Sequence, residues 1–330
     1  MGTVHEHFET FPFNTAPRVL RRQEELLLAE PSTGPSGRKY WRDHPPIEVV
    51  HFNPEYQEHS FGPPRGVYES DFMRLEWQSM VGRQPFYHRN CDVDEISYQV
   101  TGARTLMSEA GSVDLEPGDF SRLPVGVAHD NYGRQDIHVL FYVPAPVTEE
   151  RPADRTSRPA IPPFPGWEPA VVNELVTECL GGPGHDIVPA RADELALLEY
   201  AEEHDERLQI LRPGDEPGTT WLYRSADVLI GRTFAESSDG RVYRRIRNAE
   251  QIDYQLRGHR TLVTQRGTVR LEPGDFARIP VGVAFTSIHR GPSAHITVVS
   301  AREVPQVAEA TGTAERLPAD EIERLRRTAE

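Results

Sequence analysis

The sequence predicts an all-β chain: two jelly-roll barrels in tandem, with a few helices at their periphery. Three observations carry this. The stretch VDLEPGDFSRLPVGVAH at 113–129 returns as VRLEPGDFARIPVGVAF at 269–285, with 13 of 17 positions identical at an offset of 156. The same offset aligns Asp71 with Asp227, Tyr98-Gln99 with Tyr254-Gln255 and Gly102 with Gly258, so the halves are copies of one fold. Each copy also reads as short strands bounded by turn residues, and no helical pattern separates those strands. A parallel α/β arrangement is thereby excluded.

Taken in order, residues 1–60 form an arm with no visible counterpart, expected to cover one barrel. Within it RVLRRQEELLLAE (18–30) has weak helical spacing. Residues 61–145 are the first barrel, where DFMRLEWQSMV, DEISYQVTG, RTLMSEAGSVDL, DFSRLP and DIHVLFYV mix period-2 alternation with short apolar runs. Both EPGD segments are turns, proline presetting φ and glycine free to take φ > 0. Residues 146–211 are a linker plus a helix. The stretch PAPVTEERPADRTSRPAIPPFPGWEP is too rich in proline to be anything but extended, and ADELALLEYAEEHDERLQIL (192–211) has helical spacing with acids in its first turn. Residues 212–304 are the second barrel, and 305–330 a tail closing with the helical PADEIERLRRTAE.

Composition narrows the function. With 36 basic and 51 acidic residues the net charge is −15, a surface that repels phosphate backbones; nucleic acid is not an expected partner. No run of 18 apolar residues suggests a membrane span, and MGTVHEHFETFPFN lacks the basic and apolar regions of a signal peptide. Two cysteines, Cys91 and Cys179, argue against a disulfide framework. A cytoplasmic location is expected.

The chemistry sits in the first copy. His88 and Asn90 lie two apart, so a strand points both to one face. Glu95 follows after room for a tight turn, and His129 closes the second turn of PGDFSRLPVGVAH. In a small closed barrel these four side chains converge on one interior point. In the second copy the offset places Arg244, Ile246, Gln251 and Phe285 at the four positions, while the turn scaffold EPGDFARIPVGVA persists. The fold does not need the histidines, which favours a functional reading of the first set and a structural or regulatory second barrel.

The pattern H-x-N-x4-E-x6-G followed by P-G-D-x4-P-x-G-x2-H resembles the metal signature of the cupin superfamily, and the two copies together resemble a bicupin. It departs from that signature at Asn90, where a second histidine is usual, and at Gly133, where an asparagine is. PFYHRNC with its nearby glutamate is similar to the iron site of homogentisate dioxygenases, whose 2-His-1-Glu set binds Fe(II). Those enzymes are longer and carry their metal in the C-terminal barrel. The resemblance implies His88, Glu95 and His129 as metal ligands, and a homo-oligomer. Two neutral imidazoles and a carboxylate form the mixed set that leaves coordination positions open in non-haem Fe(II) oxygenases, although Mn, Ni or Zn also suit it.

The function expected is an Fe(II)-dependent dioxygenase that cleaves a hydroxylated aromatic, such as a hydroquinone- or catechol-type acid, with O2 as co-substrate. Asn90 is expected to bond to substrate or a metal-bound water. Arg122 and His138 are expected on lumen-lining strands as further catalytic residues, and Arg83, Arg89 and Arg104 are further candidates for holding a carboxylate. Tyr98 recurs as Tyr254 and reads as packing; Cys91 reads as structural, and Cys179, just ahead of a glycine pair, as a bystander. Two alternatives stand: a redox-neutral metal barrel (isomerase, cyclase or decarboxylase), and a non-catalytic small-molecule-binding protein.

Overall fold

The computed structural model describes residues 2–30, 45–58, 62–84, 86–159, 164–182 and 184–328. Parts of the arm (31–44) and of the proline-rich linker (160–163) lie outside these. An 11-stranded sheet forms around the first barrel, and sheets of seven and eight strands around the second. Each half closes into a barrel, as the repeat predicts.

Two 16-residue strands, Val93–Ser108 and His129–Pro144, form the spine of the first barrel and pair antiparallel from Val93↔Pro144 to Ser108↔His129. Both pass from one barrel wall to the other. The change of wall falls at Gly102, with φ +67°, opposite a register shift between Arg134 and Ile137. A Cβ at Gly102 would run into the Gln135 carbonyl, and its repeat Gly258 meets the Pro292 carbonyl in the same way. Only glycine satisfies both the φ and the close approach.

Strand alternation then divides the residues between two environments. Ile96, Tyr98, Phe120, Val139 and Phe141 face outward into a shared core with Ile252, Tyr254, Phe276, Ile296 and Val298 of the second barrel. Tyr98 packs on Phe120 at 4.6 Å and Tyr254 on Phe276 at 4.3 Å, so the repeat brings like residues to the barrel–barrel seam. Burying such side chains contributes on the order of 1.5–3 kcal/mol each. The alternate residues Glu95, Ser97 and Gln99 face the lumen.

The arm has a counterpart after all. Thr3–Glu9 runs parallel to Val242–Ile246 of the second barrel, with His5↔Val242. Val171–Glu178, which precedes the second barrel, runs parallel to Phe86–Asn90 of the first, with Asn173↔Phe86. Glu48–His51 and Gln209–Leu211 likewise add to Asp275–Ile279 and Phe120–Leu123. Each half therefore sends its leading arm to complete the other half's barrel. Equivalent buried glutamates pin the exchange: Glu24 accepts from Tyr243 Oη at 2.7 Å and pairs with Arg326, and Glu194 accepts from Tyr87 Oη at 3.3 Å and pairs with Arg83.

The helices are shorter than their sequence patterns. Residues 18–30 resolve into a strand, Arg18–Gln23, which pairs with Thr3–Glu9, and one helical turn, Glu24–Leu28. The 192–211 pattern yields the helix Glu194–Glu203, capped by Asp193 accepting from the Leu195 amide, before the chain extends into Gln209–Leu211. Edge pairing supplies these segments with backbone partners that an isolated helix reading does not foresee. The tail helix is Ala319–Thr328, directly after Pro318. Among the described residues no helix is long and apolar enough to cross a membrane.

Substituting Gly102→Ala is expected to destabilise the protein by about 1–3 kcal/mol through the positive φ and the clash. Urea unfolding checks this, and a loss below that of an ordinary surface change would contradict a wall crossing that only glycine can make.

Candidate metal centre

The first barrel's lumen is polar because of register. Glu95 stands opposite Tyr142 and Leu123, Ser97 opposite Ser121, and His138 opposite both Gln99 and Gln78. Directly paired residues share a face, so all of these point inward. His88 and His129 are likewise a ladder pair on the other wall, with ring centroids 6.0 Å apart.

Glu95 and His129 come together. His129 Nε2 lies 3.5 Å from Glu95 Oε2, and both residues are buried. That is long for a hydrogen bond and close to the separation of neighbouring ligands on one ion with bonds of roughly 2.0–2.2 Å. His129 Nδ1 faces the Val127 carbonyl at 3.4 Å, which directs Nε2 to the lumen. His88 also packs on Phe86, with ring centroids 4.8 Å apart. As they stand the three side chains do not close on one point: among the described residues no group of three or more His, Cys, Asp or Glu is arranged to hold an ion.

Protonation states suit ligands nonetheless. Burial, and then His129, push the His88 imidazole down to about 4, so it is neutral at physiological pH. Burial pulls the Glu95 carboxyl upward, but His129, the Asn90 amide, Arg104 and His88 together outweigh it and hold Glu95 below the usual carboxylate value. The set is two imidazoles, of which burial keeps His88 neutral, and an ionised carboxylate.

Asn90 takes a supporting position. Its Nδ2 donates to Glu95 Oε2 at 3.1 Å, and its Oδ1 accepts from Cys179 Sγ at 3.3 Å. It fixes the carboxylate that faces His129. His138 is wholly buried in the lumen, with Nδ1 2.8 Å from Asp136 Oδ2 and Nε2 3.1 Å from the Gln78 side-chain amide. Burial, followed by Arg104, lowers its pKa.

Arg122 is a correction. It stands opposite Ile96, on the face away from Glu95, and bridges Asp94 at 2.8 Å and Glu149 at 2.7 Å. It lines a separate outer cavity of about 280 Å³ with Glu149 and Arg207. Its repeat Arg278 bridges Glu250 and Glu303 in the same way, so the residue belongs to the scaffold. Arg83 is held by Asp130 and Glu194, and Arg89 by Glu109 and Glu174. Of the four candidate arginines Arg104 alone enters the lumen, where it donates to Ser97 Oγ at 2.6 Å. Burial lowers its pKa against the pull of Asp136 and Glu95.

The sequence reading missed Gln78, Asp136, Tyr142 and the Arg74–Glu76 pair at the lumen's end. The signal was present: Glu76 and Gln78 alternate with Leu75 and Trp77 inside a buried strand. Cys179, read as a bystander, reaches the site from just past the strand that the second half contributes.

The second lumen is filled from within. Arg244 stands opposite Phe285 as His88 does opposite His129, pairs with Glu9 of the arm at 2.7 Å and donates to Gln251 at 3.3 Å. Arg260 pairs with Asp253. Surface cavities of about 760 and 580 Å³ flank this half, lined among others by Glu24, Arg241 and Glu323 and by His259, Ile288 and Leu325; neither includes His88, Glu95 or His129.

Among known proteins, no family model and no curated sequence matches the chain. Solved structures do. A cupin 2 conserved barrel domain protein from Leptotrichia buccalis aligns at a TM-score of 0.47 and 8% identity, covering 77% of this chain and 96% of its own. The protein Ylba of E. coli gives 0.44 and 11%, covering 86% and 99%, and a mutant of Bacillus subtilis oxalate decarboxylase gives 0.42 and 11%, covering 81% and 80%. The chain is an all-β protein of two barrels, and none of these alignments reaches a TM-score of 0.5. At such identities nothing about activity passes from them to this chain.

Protonation of His88 makes a testable signature. The unfolded imidazole takes a proton near pH 6.5, whereas the folded one refuses it until about pH 4. The stability this group contributes is therefore present above pH 6.5 and lost as pH falls from 6.5 to 4. In metal-free protein His88→Gln is expected to flatten the fall in unfolding free energy over that window; an unchanged slope would contradict a neutral His88.

Proposed function

We propose that the first barrel is a mononuclear metal centre held by His88, Glu95 and His129, and that the protein is a non-haem Fe(II) dioxygenase of a hydroxylated aromatic, most simply a ring-cleaving one. The observation that carries this is the contrast between the lumens. Glu95 and His129 stand 3.5 Å apart beside a neutral His88 in one barrel, and Gln251, Phe285 and Arg244 replace them in the other. The donor chemistry fits a borderline metal with open positions, Fe(II) first and Mn, Ni or Zn next. Loading then requires His88 to swing onto the Glu95–His129 pair.

When bound, such an ion supplies Lewis acidity and a site where substrate oxygens and O2 meet. The chain's own residues do the rest. Asn90 holds Glu95 Oε2 toward His129, and the Val127 carbonyl sets the His129 ring. His138, its Nδ1 on Asp136 Oδ2 and its Nε2 on Gln78 Oε1, is placed to hold or move a proton deep in the lumen. Tyr142 and Leu140 wall the site against water. The His138–Asp136 pair also suits a redox-neutral reaction such as decarboxylation or isomerisation, in which proton transfer is the main event. Assembly of the protein as a homo-oligomer in the cytoplasm belongs to the same proposal.

The test is metal content together with oxygen uptake. Wild-type protein reconstituted with Fe(II) is expected to hold one equivalent and to consume O2 with a catechol or hydroquinone, giving a ring-opened product. Glu95→Ala and His129→Ala are expected to lose both, and Asn90→Ala to weaken metal affinity about 10–100-fold. Unchanged metal content in Glu95→Ala contradicts the centre. Full loading with turnover that ignores O2 selects the redox-neutral reading, and loading with ligand binding but no turnover selects a binding protein.

A further inference from the structure

The two lumens differ in one more respect, the treatment of a buried arginine. Arg104 and Arg260 are repeat equivalents, 1% and 3% exposed. Arg260 is satisfied from within. Its Nη2 donates to Asp253 Oδ2 at 2.7 Å, its Nε to Gln255 Oε1 at 2.8 Å and its Nη1 to Ser287 Oγ at 2.9 Å. In the first barrel the position of Asp253 is Ser97. Arg104 Nη2 donates to that hydroxyl, and Arg104 forms no ion pair among the described residues. Its Nε, and the Gln99 Oε1 that corresponds to the acceptor on Gln255, are both buried without a hydrogen-bond partner among the described residues.

The nearest carboxylates are committed elsewhere. Glu95 accepts from Asn90 and faces His129; Asp136 bonds to Gln99 and His138. A guanidinium this deep without a counter-ion carries a large desolvation cost. Its fork matches a carboxylate. The geometry points to Arg104 as the anchor of a substrate carboxylate: the first barrel takes an acid, and the acid's carboxylate fills the place that Asp253 occupies in the second. Ser97 follows Glu95 by one alternation, roughly 7 Å along the strand, the span from a carboxylate to a hydroxyl across one aromatic ring. The inference rests on the first lumen being the ligand site and names the class of ligand it selects.

The second barrel also supplies the control. There Asp253 stands opposite Ala277, where the first barrel has Ser97 opposite Ser121. Copying that pair as Ser97→Asp with Ser121→Ala gives Arg104 an internal partner in a lumen whose twin already tolerates it, and so remains informative where Arg104→Gln fails to fold. Calorimetric titration of the full chain, metal-free and Mn(II)-loaded, compares 2,5-dihydroxybenzoate with hydroquinone and 3,4-dihydroxybenzoate with catechol. Wild type is expected to bind each acid roughly tenfold or more tightly than its neutral counterpart. Both variants are expected to lose that preference. Absence of an acid preference in wild type, including binding of neither probe, overturns the proposal, as does a preference that survives in the variants. Metal-loaded wild type without the preference strikes the anchor alone; a preference kept by protein that takes up no metal strikes the metal centre alone.

Discussion

The structure depends on the period of two in its long strands. Before Gly102 the residues of Val93–Ser108 alternate between the barrel–barrel seam (Ile96, Tyr98) and the lumen (Glu95, Ser97, Gln99), and a one-residue slip would exchange Ile96 and Tyr98 for Glu95 and Ser97. Apolar burial at the seam therefore fixes the register that carries the functional groups inward. The lumen residues need no propensity of their own to be there. They are held by what their neighbours bury on the other side.

This explains how one fold carries two different interiors. The seam is nearly symmetric, with Tyr98 and Tyr254, Phe120 and Phe276, Ile96 and Ile252 in equivalent places. The lumens are free to diverge because the seam, together with the exchanged arms, maintains the barrels. In the second barrel each lumen arginine has found a carboxylate, Arg244 on Glu9 and Arg260 on Asp253, so the interior neutralises itself. In the first, Glu95 faces a histidine and Arg104 lacks a carboxylate partner among the described residues. An interior completed by its own side chains is a core, and one left incomplete is what we propose as a binding site.

Much of this was legible in the sequence. The repeat is visible because the turns require proline, glycine and aspartate at fixed places, as in the two EPGD segments, and such positions resist change. The convergence of Glu95 and His129 follows from the same spacing. The exchanged arms were not legible: Thr3–Glu9 and Val171–Glu178 share only Val4 with Val172 and Glu6 with Glu174, since edge strands constrain few side chains, and their offset differs from that of the barrels. Arg122 was misplaced because its face depends on the pairing Glu95↔Leu123, a register between distant strands that no local pattern states. Cys179 reached Asn90 through the arm exchange, which is a property of topology rather than of any motif.

The central claim is that one lumen holds a metal and its twin does not. A crystal of protein loaded with Fe(II) or Mn(II), with diffraction collected on both sides of the metal's absorption edge, locates every bound ion directly. A single anomalous peak is expected among His88, Glu95 and His129, with His88 turned toward the other two, and none at Arg244, Gln251 and Phe285. Metal bound elsewhere, in both barrels, or in neither would contradict the claim.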